Sequence, residues 1–118
     1  GCYQISLGDT IGRATPQQIG AMLDTVMEKA PASHLAGHFH DTSGQAIDNI
    51  DASLARGLRC FDSSVGGLGG CPYAPGAAGN VATEAVIAHL ERKGFKTGID
   101  TDRLAAAAQF ASKLRASH

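Results

Sequence analysis

The sequence predicts an α/β fold in which parallel β-strands alternate with α-helices in repeated strand–helix units. Three short apolar segments of strand character recur at steps of about 25 to 30 residues, the size of one βαβ unit. Each segment is followed by a stretch whose apolar residues recur at helical spacing. Reactive polar residues follow the strand segments, at the strand ends where the chemistry of parallel sheets gathers. These observations predict a parallel sheet with helices packed outside it.

In the first unit, residues 3–7 are predicted to form a strand that ends in a turn at residues 8–10. Thr15 is expected to cap the following helix, with Pro16 at its first helical position. Apolar residues at helical spacing continue this helix to about Lys29.

The later units follow the same order. Strands are predicted at residues 34–40 and 59–63, and helices at residues 45–56, 81–92 and 101–114. Gly57 and Gly94 are expected to end the helices that precede them. Periodicity predicts that the third helix turns Val81, Ala85 and Ala88 inward.

Composition and charge argue against several classes of partner. The 118 residues are 43% hydrophobic and 18% charged, which is typical of globular proteins. A net charge of −1 gives no electrostatic case for a nucleic acid or an anionic membrane. No apolar run approaches the roughly 20 residues needed to span a bilayer. The three cysteines are irregularly spaced, which disfavours a disulfide framework and favours a reducing compartment, most simply the cytoplasm.

Three strands are too few to close a barrel on their own. A (β/α)8 TIM barrel takes about 250 residues, and this chain has material for three of its eight units. An open three-stranded parallel sheet would leave its edges and one apolar face uncovered. We therefore expect residues 1–118 to form the C-terminal portion of a single TIM-barrel domain whose other strands lie outside this chain.

Two histidines are the first candidates for a metal site. His38 and His40 are two residues apart on one predicted strand, so their rings point to one face of the sheet. Imidazole readily ligates divalent metals. Ordinary hydrogen bonds at a strand end explain the pair equally well, and the spacing leaves both interpretations open.

A glycine-rich segment, residues 65–80, follows the third strand. It contains six glycines, two prolines and one cysteine. Such a segment is expected where backbone passes close to a ligand or must open and close, although a flexible linker is the alternative. A nucleotide-binding turn fits poorly, because neither the Gly-x-Gly-x-x-Gly pattern nor a Gly-Lys-Ser/Thr sequence is present and proline lacks an amide donor.

Three residues near the strand ends have two interpretations each. Cys71 is either a small buried hydrophobe or an accessible thiol, and its glycine surroundings favour the thiol. Asn80 is either the N-cap of the next helix, which the spacing favours, or an oxygen ligand. Asp9 is either a turn former or a carboxylate at the functional edge of the sheet.

Taken together, several motifs closely resemble the 3-hydroxy-3-methylglutaryl-CoA lyase family. The resemblance rests on residues 6–12 (SLGDTIG), 38–42 (HFHDT), 62–65 (DSSV), 67–74 (GLGGCPYA) and 79–84 (GNVATE). It covers nearly the whole chain, and its most specific part is the cysteine-containing loop.

The resemblance implies a metal-dependent (β/α)8 lyase that splits 3-hydroxy-3-methylglutaryl-CoA into acetyl-CoA and acetoacetate, in leucine degradation and ketone-body formation. It implies that Mg2+ or Mn2+ is bound by His38, His40 and Asn80, with a further aspartate from the first barrel strand, outside this chain. It also implies that Cys71 is the signature catalytic cysteine and that Asp9 takes part in acid–base chemistry. His38 is a second candidate for proton transfer.

The resemblance further implies that Ser6, Gly69 and Gly70 contact the substrate. It implies an acyl-CoA as the small-molecule partner and a homo-oligomer, a dimer, as the complete enzyme. The compartment would be the bacterial cytoplasm, or the mitochondrial matrix in a eukaryote. Two alternatives remain: an acyl-CoA condensing synthase or pyruvate aldolase with the same metal strand, and an inactive fragment that completes a barrel with another chain.

Overall fold

The computed structural model describes residues 2–9, 12–69 and 79–116 of the chain. Within them the strands are β1 (Ile5–Asp9), β2 (Leu35–Phe39) and β3 (Phe61–Asp62). The α-helices are α1 (Pro16–Val26), α2 (Ala46–Ala55), α3 (Thr83–Arg92) and α4 (Thr101–Ala116), and short 3-10 turns occupy Ala32–His34 and Val65–Gly67. The predicted alternation of strands and helices is confirmed.

The strands form one parallel sheet in the order β1–β2–β3. His38 in the middle strand lies opposite Gly8 on one side and Asp62 on the other. A helix connects each strand to the next, because a parallel strand can be reached only by a crossover. The carboxyl ends of all three strands therefore meet at one edge, as the sequence predicted.

The strand boundaries differ from the prediction. β1 begins and ends two residues later than expected, because Gly8 and Asp9 continue to pair with β2 instead of turning. Pairing between strands has overridden the local turn preference of the Gly-Asp sequence. β3 is limited to Phe61–Asp62, inside the predicted residues 59–63, because only these two residues pair with β2.

The start of α1 follows the sequence signals. The Thr15 hydroxyl accepts a hydrogen bond from the Gln18 backbone N–H, and the Gln18 side chain accepts one from the Thr15 backbone N–H. This reciprocal pair is a capping box. The helix ends at Val26, earlier than predicted, because Glu28 and Lys29 donate to carbonyls three residues back and tighten the last turn.

The main core lies between α1, α2 and one face of the sheet. Leu23, Phe39 and Ile50 are buried there with almost no solvent exposure. Fully burying side chains of this size stabilises the fold by about 1.5–3 kcal/mol each. A Cβ added at Gly37 would meet the rings of Phe39 and Phe61, so these residues share the core face. Since side chains alternate along a strand, His38 points to the opposite face.

The buried side of α3 differs from the prediction. Val86 is buried, whereas Ala85 and Ala88 are exposed. The predicted stripe assumed a helix that begins at Val81, but the helix begins two residues later, at Thr83. Val81 is buried as predicted, but as part of the extended chain that leads into the helix.

α4 packs its Ala111 against the 3-10 turn that begins the glycine-rich segment. Gly66 in this turn has φ +69°, and a Cβ added there would lie 3.0 Å from the Ala111 methyl group. Glycine is required by both the backbone conformation and the close approach. Among the described residues, no helix has the length and apolar content needed to cross a membrane.

Candidate metal centre

Three strands bring polar side chains together on the face of the sheet opposite the core. Asp62 in β3 accepts a hydrogen bond on Oδ2 from the hydroxyl of Ser6 in β1, at 3.1 Å. The same Oδ2 lies 3.1 Å from Nδ1 of His38 in β2. Sequence reasoning did not select Asp62 as a site residue. The available signal was its place at the end of the third predicted strand, where parallel pairing sets it opposite His38.

The other ring nitrogen of His38 faces Asn80. His38 Nε2 lies 3.0 Å from Asn80 Oδ1. The Asn80 amide nitrogen donates to the backbone carbonyls of Leu68 and Gly69, at 3.0 and 3.2 Å. Because those carbonyls can only accept, they fix the amide with its oxygen towards His38. The structure thus brings together two of the predicted metal ligands, 42 residues apart in the chain.

Asn80 is not the cap of α3, which was the interpretation that its spacing favoured. The N-cap is Ala82, and the helix begins at Thr83. The backbone N–H of Asn80 instead donates to the Gly69 carbonyl at 2.9 Å, and the Gly79 carbonyl accepts from the backbone of the residue after His40. Gly69 and Gly79, the described residues on either side of residues 70–78, therefore both lie beside the His38–Asn80 pair.

The contact between His38 and Asn80 accommodates either a proton on Nε2 or a shared cation. If Nδ1 carries the ring proton towards Asp62, then Nε2 and the Asn80 oxygen face each other with lone pairs at 3.0 Å. Such lone pairs repel unless a proton on Nε2 or a shared cation lies between them. Octahedral Mg2+ holds its ligands at about 2.0–2.1 Å, so neighbouring donor atoms are about 3 Å apart. The pair therefore fits two adjacent positions around a divalent cation.

His40 is the third predicted ligand, and it lies beside His38 with ring centroids 5.5 Å apart. Its Nδ1 is 3.2 Å from the Asp9 backbone carbonyl. Since a carbonyl only accepts, the ring proton belongs on Nδ1, which leaves the Nε2 lone pair for a metal. In the part of the chain that the structure describes, no group of three His, Cys, Asp or Glu side chains is placed so that it could hold a metal ion. A cation here would therefore depend on the Asn80 amide and on further ligands from elsewhere.

The Asp9 carboxylate accepts hydrogen bonds from the backbone. Its two oxygens accept hydrogen bonds from the N–H groups of residues 12–14, at 2.9 to 3.2 Å. Asp9 lies opposite Phe39 in the sheet, so its side chain is on the core side and is only 9% exposed. The structure does not bring this carboxylate to the face that carries His38. Its acid–base role stays a prediction, and this geometry does not support it.

Of the other predicted site residues, two lie outside the described part of the chain and two lie within it. Cys71 and Gly70 lie outside the described residues, so the position of the catalytic thiol stays a prediction. The Ser6 hydroxyl binds Asp62. The Gly69 carbonyl accepts from Asn80. The substrate contacts expected for Ser6 and Gly69 also stay predictions.

The fold and the site define a class: a parallel strand–helix protein whose strand ends carry a histidine and amide site opposite the core. A protein-family model described as HMGL-like matches residues 1–111. The chain belongs to the HMGL-like family, as its motifs predicted.

Curated relatives and solved structures are similar to nearly the whole of this chain. The mitochondrial hydroxymethylglutaryl-CoA lyase of Arabidopsis thaliana is 56% identical over 113 residues, which are 96% of this chain and 24% of that protein. The crystal structure of the HMG-CoA lyase from Brucella melitensis is 62% identical with a TM-score of 0.96, covering 98% of this chain and 41% of that one. An HMG-CoA lyase from Acinetobacter baumannii, in complex with coenzyme A and 3-methylmalate, is 39% identical with a TM-score of 0.86, covering 95% and 37%.

The chain spans less than half the length of each of these relatives. Within that span the strands and helices superimpose on part of a TIM barrel, which confirms the predicted fold class.

Proposed function

We propose that this chain carries the metal-binding and loop-bearing part of a divalent-metal-dependent carbon–carbon lyase, which cleaves 3-hydroxy-3-methylglutaryl-CoA into acetyl-CoA and acetoacetate. The relatives named above support this proposal through their names, and one of them through its complex with coenzyme A and 3-methylmalate. The observation in this chain that carries the proposal is the 3.0 Å approach of His38 Nε2 to Asn80 Oδ1, because two donor atoms at this separation fit adjacent positions around one divalent cation.

His38, His40 and Asn80 would hold Mg2+ or Mn2+. When bound, such a cation supplies Lewis acidity that polarises the tertiary hydroxyl of the substrate. The chain itself orients the ligands: the Leu68 and Gly69 carbonyls fix the Asn80 amide. Both His38 nitrogens are engaged, so a second role for this ring as a proton shuttle competes with metal binding.

We assign Cys71 to the chemistry at the substrate. Gly69 and Gly79, the described residues on either side of the segment that contains it, lie next to Asn80, and a glycine-rich segment is expected where the chain must open and close over a ligand. A thiol here would protonate the departing enolate or exclude water from it. Replacement by alanine tests this role, since Cys71→Ala should lower turnover far more than Mn2+ affinity. Turnover near the wild-type rate would remove Cys71 from the mechanism.

The metal assignment is tested by calorimetric titration of the full-length protein with Mn2+. His40→Ala and Asn80→Ala should each weaken binding by more than the roughly 10–100-fold typical of groups that only orient a ligand. His34→Ala is the matched control, because His34 is an exposed histidine just before the same strand and should leave affinity unchanged. Unchanged affinity in both site variants would overturn the ligand set.

The reaction is tested by incubating the metal-loaded protein with 3-hydroxy-3-methylglutaryl-CoA and measuring acetoacetate. Release that depends on Mn2+ or Mg2+ is the expected result. Condensation of an acyl-CoA, or cleavage of a pyruvate aldol without acetoacetate release, would support the alternatives within the same superfamily. Absence of all three reactions would support an inactive partner that completes a barrel.

We also propose a homodimer that works in the bacterial cytoplasm, or in the mitochondrial matrix of a eukaryote. Light scattering on the full-length protein tests the dimer, and a monomeric mass would contradict it.

A further inference from the structure

We infer that Asp62 is a positioning residue that selects the tautomer of His38, so that the Nε2 lone pair is available to a cation. The inference rests on the proposed metal site, and it adds a residue that does not itself touch the cation. It is carried by the hydrogen bonds of one carboxylate oxygen, and by the competition between two acceptors for one ring proton.

The sheet places Asp62 directly beside His38. The two residues are register partners on the neighbouring strands β2 and β3, and their side chains share a face. Asp62 Oδ2 is 3.1 Å from His38 Nδ1 and accepts the Ser6 hydroxyl at the same distance. Ala36, the register partner of Ser6, has only a methyl group on this face, which leaves room for the hydroxyl to reach Asp62 across the middle strand. The carboxylate is thus held from two strands.

A neutral imidazole has one proton and two nitrogens, and in His38 each nitrogen faces an acceptor. Asp62 Oδ2 faces Nδ1 at 3.1 Å, and Asn80 Oδ1 faces Nε2 at 3.0 Å. The distances are nearly equal, and in either neutral tautomer one nitrogen lone pair faces an acceptor, so the stronger acceptor decides which nitrogen carries the proton. Hydrogen bonds to an ionised carboxylate are roughly twice as strong as those to a neutral amide. The proton therefore resides on Nδ1, and the lone pair lies on Nε2.

Removal of the carboxylate reverses this preference. In Asp62→Ala the only acceptor left in the pair is the Asn80 oxygen, so the proton moves to Nε2 and donates to it. A protonated Nε2 cannot bind a metal. A substitution at Asp62, which does not itself contact the cation, would therefore lower the affinity for the cation. The same logic makes Asp62→Asn intermediate, because two neutral amide oxygens then compete for one proton.

The test uses two measurements on the full-length protein. The first is the 15N NMR spectrum of His38 in metal-free protein, recorded under conditions where the ring is neutral. Wild type should show the Nδ1–H tautomer, Asp62→Ala the Nε2–H tautomer, and Asp62→Asn a mixture. A merely structural role for Asp62 would not move this spectroscopic signature.

The second measurement is calorimetric titration with Mn2+. Asp62→Ala should weaken binding by about 10–100-fold, as is typical for the loss of a group that orients a histidine ligand, and Asp62→Asn should weaken it less. Asp48→Asn is the control, since it removes the same charge from an exposed position on α2 and should change neither measurement.

The outcomes separate this inference from the proposed function. If wild-type protein fails to bind Mn2+, the metal proposal is wrong, while the NMR signature still decides the role of Asp62. If Asp62→Ala keeps the Nδ1–H tautomer, the inference is wrong even when Mn2+ binds. Unchanged Mn2+ affinity in Asp62→Ala, with wild type binding normally, would also overturn it.

Discussion

Replacing Asp9 by asparagine decides whether its carboxylate holds the loop after β1 or takes part in the chemistry. The carboxylate accepts three backbone hydrogen bonds from residues 12–14 and is almost entirely buried. In Asp9→Asn one oxygen is kept, which still serves two of those N–H groups. The other becomes an NH2 group that faces the Ala14 N–H, so two donors then oppose each other.

The magnitude follows from these contacts. A hydrogen bond to a charged group contributes about 1.5–3 kcal/mol, and a buried donor left without a partner costs about 1–3 kcal/mol. The loop can relax to relieve part of the opposition, so we expect the free energy of unfolding to fall by roughly 2–4 kcal/mol. Asp9→Ala removes all three bonds and should cost more.

The assay is urea unfolding of the full-length protein, together with turnover measured where every variant is folded. Glu28→Gln is the control, because it removes one negative charge from an exposed position and should leave stability unchanged. A stability loss with little change in turnover is the expected result. Stability within about 0.5 kcal/mol of wild type, the range of ordinary surface substitutions, would refute the structural role. Such stability with a large loss of turnover would restore the acid–base role predicted from the sequence.

Three further predictions concern the core and the helices. Ile50→Ala should lower the free energy of unfolding by about 2–5 kcal/mol, because Ile50 is fully buried and the core closes only partly over the cavity; thermal unfolding measures this. Gly37→Ala should cost about 1–3 kcal/mol in urea unfolding, because its Cβ would lie within 2.7 Å of an aromatic ring carbon. Burial raises the pKa of Asp51, but hydrogen bonds and charges from His89 and Lys93 outweigh burial and lower the net pKa below 3.8. A lowered pKa in the folded state stabilises the protein above about pH 4, and this stabilisation is lost as pH falls through the folded pKa. Asp51→Asn lacks this carboxyl group, so it should lose less stability than wild type between about pH 5 and 2.

For each of these predictions, one outcome would contradict it. Ile99→Ala, at a position that is 45% exposed, should cost much less than the buried isoleucine variant, and equal costs would contradict the assigned core. Gly37→Ala with wild-type stability would mean that the aromatic rings move aside. Parallel acid unfolding curves for wild type and Asp51→Asn would show that the contacts of Asp51 do not lower its pKa.

Local signals in the sequence were sufficient for the order of the elements. The Thr15–Gln18 capping box lies within one helical turn, so the sequence alone locates the start of α1. Gly57 and Gly94 adopt the positive φ angles, +95° and +93°, that end the helices before them. The common face of His38 and His40 follows from the alternation of side chains along a strand.

Long-range contacts decided what the sequence left open or predicted wrongly. The strand pairing of Gly8 and Asp9 cannot be read from their own turn preference, because the partner residues are 30 positions away. The side of α3 that is buried depends on where the helix begins, and the helix begins after Val81 because the backbone of Val81 pairs instead with Phe39 and Ser64. The favoured interpretation of Asn80 as a helix cap failed for the same reason.

By itself the sequence determined which segments are strands or helices and which family the chain belongs to, and it predicted which residues carry chemistry. These properties depend on residue types and on spacings of a few residues. Only the tertiary structure decided that the Asn80 oxygen points to His38 and that Asp62 contacts the other nitrogen of the same ring. It also decided that the Asp9 carboxylate lies on the core side, away from that ring. The physical reason is that strand register and backbone hydrogen bonds between distant segments set the direction of each side chain, and no local pattern encodes them.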